Sequence, residues 1–196
     1  MIFSTRCLHK PDNTMDTEQT KETLLPLSGR VTAVAIGAAL IVITTTVPYL
    51  TLLNAFFFSG IFIAGMVAIY YAVIHHQVRL TYNEAFILGS FCGFAGGMFS
   101  ETLSFLLIEL TGYRPGMEGM KLLLDWARDM AAGKPELAEQ LRVLAEMETL
   151  ALAPMELTLA DLFIGILFAS MFYAPVAGIG GMFTVFRLKR QAARGR

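Results

Sequence analysis

The chain has 196 residues, of which 55% are hydrophobic and only 16% are charged, and its mean hydropathy is +0.58. A soluble domain normally has about a quarter of its residues charged, so this composition indicates a protein whose solvent is the lipid bilayer. The formal net charge of -1 argues against nucleic-acid binding, which needs clustered basic charge. The two cysteines, Cys7 and Cys92, form no motif typical of a disulfide framework, a zinc site or haem attachment.

The N-terminal segment, residues 1–30, is polar and mixed in charge. It lacks the continuous apolar stretch of a signal peptide, so we predict a cytoplasmic tail. We expect Met15 to be the first translated residue in place of Met1. Under that expectation residues 1–14 are not part of the protein, and Cys7 and His9 carry no functional weight.

Four segments are apolar and long enough to form transmembrane helices of about 20 residues. They cover residues 31–50, 55–74, 83–110 and 159–186. The first two are joined by a tight hairpin, and the last two exceed a perpendicular span, so we expect them to tilt or protrude. Pro48 and Pro175 are candidate kink positions. The predicted organisation is spans one to three in residues 31–110, an insert in 111–157, span four in 158–187 and a basic tail in 188–196.

The positions of the basic residues predict the orientation of the spans. Basic side chains lie before the first span, between the second and third spans, and after the fourth: Arg30, His75, His76, Arg79 and the sequence RLKRQAARGR. Four spans place these three segments on one side, and the positive-inside rule makes that side the cytoplasm. We therefore predict a multi-pass protein of the cell membrane, which is the inner membrane in a Gram-negative cell. Both termini are predicted inside and the insert outside.

The insert has the pattern of two amphipathic helices. In its first half the apolar residues share one helical face: Met120, Leu123, Leu124, Ala127 and Met130. Gly133 and Pro135 separate this stretch from a second one, PELAEQLRVLAEMETLAL. Trp126 is a candidate interfacial anchor. We favour a cap on the bundle or a helix pair lying on the lipid surface, and the alternative is a docking surface for a partner protein.

Small residues recur every four positions in three of the spans. In the third span Gly89, Gly93 and Gly97 form such a ridge, and Glu101 continues it because each step of four turns only about 40°. The other two ridges are Gly165, Ala169, Tyr173, Ala177 and Gly181 in the fourth span, and Gly60, Ala64 and Ala68 in the second. These ridges predict close packing of spans two, three and four, and they are also candidate surfaces for self-association.

Glu101 is the main candidate site residue. It lies about 12 Å of helix rise from Glu109, so we expect it in the outer half of the hydrocarbon. No Lys or Arg lies inside any span, and the expected partners are hydroxyl groups, above all those of Thr45, Ser170 and Tyr173. A protonated Glu101 then acts as structural glue, which we favour because no other span has an ionisable residue in its apolar middle. The alternative is a proton or cation path through Glu101 and Glu109.

The sequence supports enzymatic or cofactor chemistry least. His75 and His76 could in principle ligate haem or a pigment metal, but the spans offer no second histidine for a paired axial site. No spacing assembles a nucleophile, a base and an orienting group at one depth. We therefore predict no catalytic residue, no metal ligand and no cofactor.

Three stretches resemble a family of small four-span bacterial membrane proteins defined as a domain of unknown function. They are RLTYNEAFILG at the entry to the third span, the charged helical insert from Tyr113 to Leu152, and APVAGIGGMFTVFRLKR at the close of the fourth span. The resemblance covers about residues 79 to 190. It implies the four-span topology and carries no activity with it.

Together these observations predict an all-α integral membrane protein, a four-helix bundle with an extracytoplasmic two-helix insert between spans three and four. The predicted role is non-enzymatic: an accessory or scaffold subunit that associates through its small-residue ridges. The first alternative is a proton- or cation-coupled transporter or channel subunit that uses Glu101, and the second is a membrane enzyme or cofactor carrier. The expected partners are the bilayer and either a second copy or another membrane protein.

Overall fold

The computed structural model describes residues 25–131, 142–143, 145–146 and 157–194. The predicted N-terminal tail up to residue 24 and most of the second insert helix lie outside these residues. Both bounds of a helix fall within the described residues six times: α1 Leu27–Thr46, α2 Thr51–Ala55, α3 Ser59–His76, α4 Tyr82–Thr111, α5 Met117–Ala131 and α6 Leu159–Arg194. Four of them, α1, α3, α4 and α6, are long and apolar enough to cross a membrane. The chain is therefore all-helical in its described part, with four candidate spans.

The connection between the first two spans differs from the predicted tight hairpin. Pro48 ends α1 at Thr46, because the residue before a proline is pushed out of the helical region, and Val47 is extended (φ -74°, ψ 130°). The short helix α2 follows, and then Phe57 and Phe58 take left-handed backbone angles (φ 52° and 56°). These angles delay the start of α3 to Ser59, four residues later than predicted.

The two longest helices have well-defined ends. Thr81 and Glu84 form a capping box at the start of α4, and Gly112 in the left-handed region (φ 69°) ends it. Helix α6 continues eight residues past the predicted end at Phe186. It also runs through Pro175 as one helix, so this proline does not divide the span.

The four long helices pack in a ring in the order α1, α4, α6, α3. Helix α1 begins, α3 ends, α4 begins and α6 ends at the same end of the bundle, where the imidazole of His76 packs on Gly29 and the Lys189 ammonium lies 4.2 Å from the Tyr82 ring centroid. We call this end the basic end, and the opposite end, which carries α2 and α5, the loop end. Neighbouring helices are thus antiparallel in the pairs α1–α3 and α4–α6, and parallel in the pairs α1–α4 and α3–α6.

The seam between α4 and α6 consists of small residues in matching four-residue steps. A Cβ atom at Gly89 would lie 2.6 Å from the Ala177 carbonyl oxygen, and one at Gly97 would lie 2.9 Å from the Ser170 nitrogen. Between them Gly93 meets the Tyr173 carbonyl group, and beyond them Gly181 meets that of Ala85. The backbones therefore touch along several turns, which only residues without large side chains permit.

The small-residue ridge of α3 packs on a different helix from the one predicted. Gly60 faces Thr44 and Ala68 faces Gly37, both on α1. Helix α6 instead contacts α3 through Gly65, whose α-carbon lies against the Ala177 carbonyl group. The expected packing of span two on spans three and four through this ridge is therefore wrong for Gly60 and Ala68, because α1, for which no ridge was predicted, occupies that face.

Helix α5 is the described part of the insert. It contacts α2, where Gly119 approaches Thr51 and Leu52. Of its predicted apolar face only Leu124 is buried, whereas Met120, Leu123 and Met130 are exposed, as is Trp126. The helix therefore lies at the loop end with most of its apolar residues uncovered.

Candidate functional site at the loop end of the bundle

The candidate site is the level of the bundle at which α1 ends, around Glu101 of α4. The hydroxyl oxygens of Thr45 and Ser100 lie 2.7 Å apart and share a hydrogen bond. Thr45 is the second-last residue of α1, and Ser100 directly precedes Glu101. Glu101 therefore lies beside the last turn of α1.

The position of Glu101 along α4 bears on its expected depth in a membrane. Seventeen residues separate it from Glu84 in the first turn of α4, which corresponds to about 25 Å of rise. The hydrocarbon of a bilayer is about 30 Å thick. If the hydrocarbon begins near Glu84, Glu101 lies within about 5 Å of its far surface, which agrees with the predicted outer half.

The carboxyl group of Glu101 continues the α4–α6 seam. Its Oε2 atom lies 3.2 Å from the position a Cβ would take at Gly165. Glu101 is half-buried, and no hydrogen bond joins it to another residue of the described part of the chain. The absence of a side chain at Gly165 thus provides the space in which this carboxyl group lies.

The predicted hydroxyl partners bond elsewhere. Thr45 donates to the Ile41 carbonyl group at 2.8 Å besides its contact with Ser100. The Ser170 hydroxyl, which is buried, donates to the Phe94 carbonyl oxygen at 3.3 Å. Each hydroxyl therefore links two helices, and neither forms a hydrogen bond with Glu101.

Tyr173 is the predicted partner that interacts with Glu101. The two side chains are close enough to interact electrostatically. The Tyr173 ring also packs against Phe58, with ring centroids 6.3 Å apart. Glu109 lies two turns further along α4 and is exposed.

The sequence interpretation missed a second small-residue stripe on α4. Cys92, Gly96 and Ser100 face α1, where they meet Gly37, Ile41 and Thr45 in parallel register. The Cys92 thiol also donates to the Ala33 carbonyl oxygen at 3.6 Å. Both stripes repeat every four residues, so the same spacing in the sequence marks Cys92, Gly96 and Ser100 as one face of α4.

Between the two ends the spans contain no acidic, basic or histidine side chain in residues 31–46, 59–74, 85–100 and 162–186. Within the described residues, no group of three His, Cys, Asp or Glu side chains forms a candidate metal site. The polar side chains buried in the bundle are hydroxyls and a thiol, and most of them link two helices. This arrangement holds helices together, and the acidic, basic and histidine side chains of these described helices lie outside the four ranges.

Comparison with known protein families, with curated proteins and with solved structures finds no match to this chain.

Proposed function

We propose that this chain is a non-enzymatic, multi-pass membrane protein that serves as an accessory or scaffold subunit for another membrane protein. Its basic end lies in the cytoplasm, as the concentration of Arg, Lys and His there supports. The observation that carries the proposal is the unequal length of the helices. Helix α1 has 20 residues, whereas α4 has 30 and α6 has 36.

The longer helices continue past the end of α1 and expose large apolar side chains there. These side chains are Leu106 and Leu110 of α4 and Leu159 and Phe163 of α6, each exposed by 46% or more. A hydrocarbon layer that begins near Glu84 ends about 20 residues further along α4. This extension therefore lies at or beyond the membrane surface, where an apolar patch is costly unless a partner covers it.

The small-residue ridges are not the surface through which we expect association. Gly89, Gly93 and Gly97 are buried against α6 within one chain, and Ala169 is buried as well. A second chain cannot approach them without separating α4 from α6. The loop-end extension replaces them as the proposed partner surface.

A photo-crosslinking residue at Phe163 tests the proposal in cells. We expect a discrete protein adduct that disappears when Leu110 is replaced by Asp in the same chain. The control position is Phe183, which is also exposed on α6 but lies towards the basic end. Lipid adducts alone at Phe163, as at Phe183, would contradict the proposal, and the adduct mass distinguishes a second copy of 21.5 kDa from another protein.

The alternative function is proton or cation transport through Glu101. The observation in its favour is that the carboxyl group is half-buried beside Tyr173 and has no hydrogen-bond partner in the described part of the chain. Proteoliposomes containing wild type, Glu101→Gln or Glu109→Gln, measured for flux across a pH gradient, decide between the functions. Wild-type flux that Glu101→Gln alone abolishes would replace the scaffold role by transport, and equal behaviour of all three would remove the alternative.

A further inference from the structure

The basic end of the bundle has a pocket of about 210 Å³ between the start of α1 and the start of α4. Its walls are mostly apolar, and they include Leu25 and Leu88, both of which are buried. Two charged side chains of opposite sign, Arg30 and Glu84, also line it. A pocket with this lining suits a molecule that has both a charged and an apolar part.

Arg30 and Glu84 are each held by a residue close to them in the chain and not by each other. The Arg30 Nε donates to the Leu25 carbonyl oxygen at 3.0 Å. One oxygen of Glu84, Oε2, accepts from the Thr81 nitrogen at 2.8 Å and from the Thr81 hydroxyl at 2.9 Å. No ion pair joins these two side chains, and within the described residues no hydrogen bond involves the terminal nitrogens of Arg30 or the Oε1 of Glu84.

A second apolar groove, of about 360 Å³, lies on the α6 side of the same face of α4. Ile87 and Phe91 line both spaces and are exposed by 54% and 59%. They therefore form a ridge with one groove on each side, the second lined also by Phe94 and Ala174. The two spaces, of which the first also contains Arg30 and Glu84, match the shape of a lipid with a charged headgroup and two acyl chains.

We propose that this face binds a phospholipid that has a primary-amine headgroup, such as phosphatidylethanolamine. Its phosphate accepts hydrogen bonds from the Arg30 guanidinium, and its ammonium group donates to Glu84. One acyl chain lies on each side of the Ile87–Phe91 ridge. The inference rests on the membrane insertion proposed above but not on the partner surface.

The two opposite charges make the site selective among phospholipid headgroups. A choline headgroup has the same phosphate but a quaternary ammonium that cannot donate hydrogen bonds to Glu84. A glycerol headgroup has the phosphate without any cation, so Glu84 repels it or stays unpaired. Binding of the amine lipid is therefore expected to exceed that of both others by about tenfold, the size of one hydrogen bond to a charged group.

Native mass spectrometry of the full chain, purified in detergent, tests this with phosphatidylethanolamine, phosphatidylcholine and phosphatidylglycerol of identical acyl chains. Wild type is expected to retain the ethanolamine lipid preferentially. Glu84→Gln is expected to reduce its retention to that of the choline lipid, and since Gln also supports a capping box at this position, the start of α4 stays intact. Arg30→Gln is expected to weaken all three lipids, whereas Arg190→Gln, a charge-matched change at the same end, leaves retention unchanged.

Equal retention of the three lipids by wild type would overturn the proposal without any variant. So would an effect of Arg190→Gln as large as that of Arg30→Gln, because charge at this end would then act without a specific site. Recovery of the chain outside the membrane fraction of cells would overturn the membrane proposal itself. If the chain is found in the membrane but shows no lipid preference, the lipid site is excluded and the membrane proposal stands.

Discussion

The hydrogen bond between Thr45 of α1 and Ser100 of α4, with their oxygens 2.7 Å apart, fixes the height at which α1 ends against the longer helix. It joins two parallel helices that are separated in the chain by α3. Because Ser100 precedes Glu101, the same contact places Glu101 at the level of the last turn of α1. A contact between two hydroxyl groups therefore determines the level of the Glu101 carboxyl group relative to α1.

The first prediction concerns that hydrogen bond. Thr45→Val and Ser100→Ala are expected to be coupled by about 0.6 kcal/mol in the free energy of unfolding, the typical size for a hydroxyl contact between membrane helices. A double-mutant cycle in mixed micelles measures the coupling. Thr32, whose exposed hydroxyl bonds only to the Ser28 carbonyl group of its own helix, provides the control, and Thr32→Val combined with Ser100→Ala is expected to be additive. Additivity of the Thr45 pair would show that the contact contributes nothing.

The second prediction tests the seam between α4 and α6. Gly93→Ile places a branched side chain against the backbone of Tyr173 and Ala174, so the helices must separate. We expect a loss of about 2 kcal/mol or more in the free energy of unfolding, as for an overpacked core.

The control for this change is the adjacent residue. Phe94 is 50% exposed, and Phe94→Ile is expected to alter the free energy of unfolding by less than about 0.5 kcal/mol, like other surface substitutions. Equal stability of the two variants would mean that α4 and α6 do not pack through their glycines.

The third prediction concerns the depth of Glu101 and the orientation of the bundle. In a chain with both native cysteines replaced by Ala, Glu109→Cys is expected to react fast with a membrane-impermeant thiol reagent added outside cells. Glu101→Cys is expected to react more slowly but measurably, because it lies near the outer surface. Phe94→Cys, about 10 Å deeper along α4, is expected to be unreactive.

A cysteine at Arg190 completes this experiment. It is expected to react only after the cells are made permeable, because the basic end faces the cytoplasm. Reaction of Arg190→Cys in intact cells would reverse the proposed orientation. A completely unreactive Glu101→Cys beside a reactive Glu109→Cys would return Glu101 to the hydrocarbon.

The fourth prediction concerns the turn after α1. The Asn54 Nδ2 of α2 donates to the Thr44 carbonyl oxygen at 3.1 Å, which satisfies one of the carbonyl groups left free at the end of a helix. Asn54→Ala is expected to lower the free energy of unfolding by about 1 kcal/mol, the usual net value of a hydrogen bond. Asn83→Ala is the matched control, since Asn83 is an exposed asparagine in the first turn of α4. A smaller effect at Asn54 than at Asn83 would argue against this capping role.

The sequence by itself determined that four helices are long and apolar enough to cross a membrane, because hydropathy over about 20 residues needs no knowledge of neighbours. It also indicated which faces of α4 and α6 could pack closely, since a four-residue spacing places Gly89, Gly93 and Gly97 on one face whatever the fold. The end of α1 at Thr46 was equally a local property, because Pro48 terminates the helix, although the predicted span ended four residues later at residue 50.

Only the tertiary structure decided which faces meet and at what height. Helical periodicity fixes the face on which a residue lies, but it does not fix the neighbour of that face or the axial register between two helices. Gly60 and Ala68 therefore face α1 and not α4 or α6, and Ser170 bonds to the Phe94 carbonyl group and not to Glu101. The charges of Arg30 and Glu84 likewise share one pocket only because α1 and α4, more than fifty residues apart in the chain, run parallel and in contact.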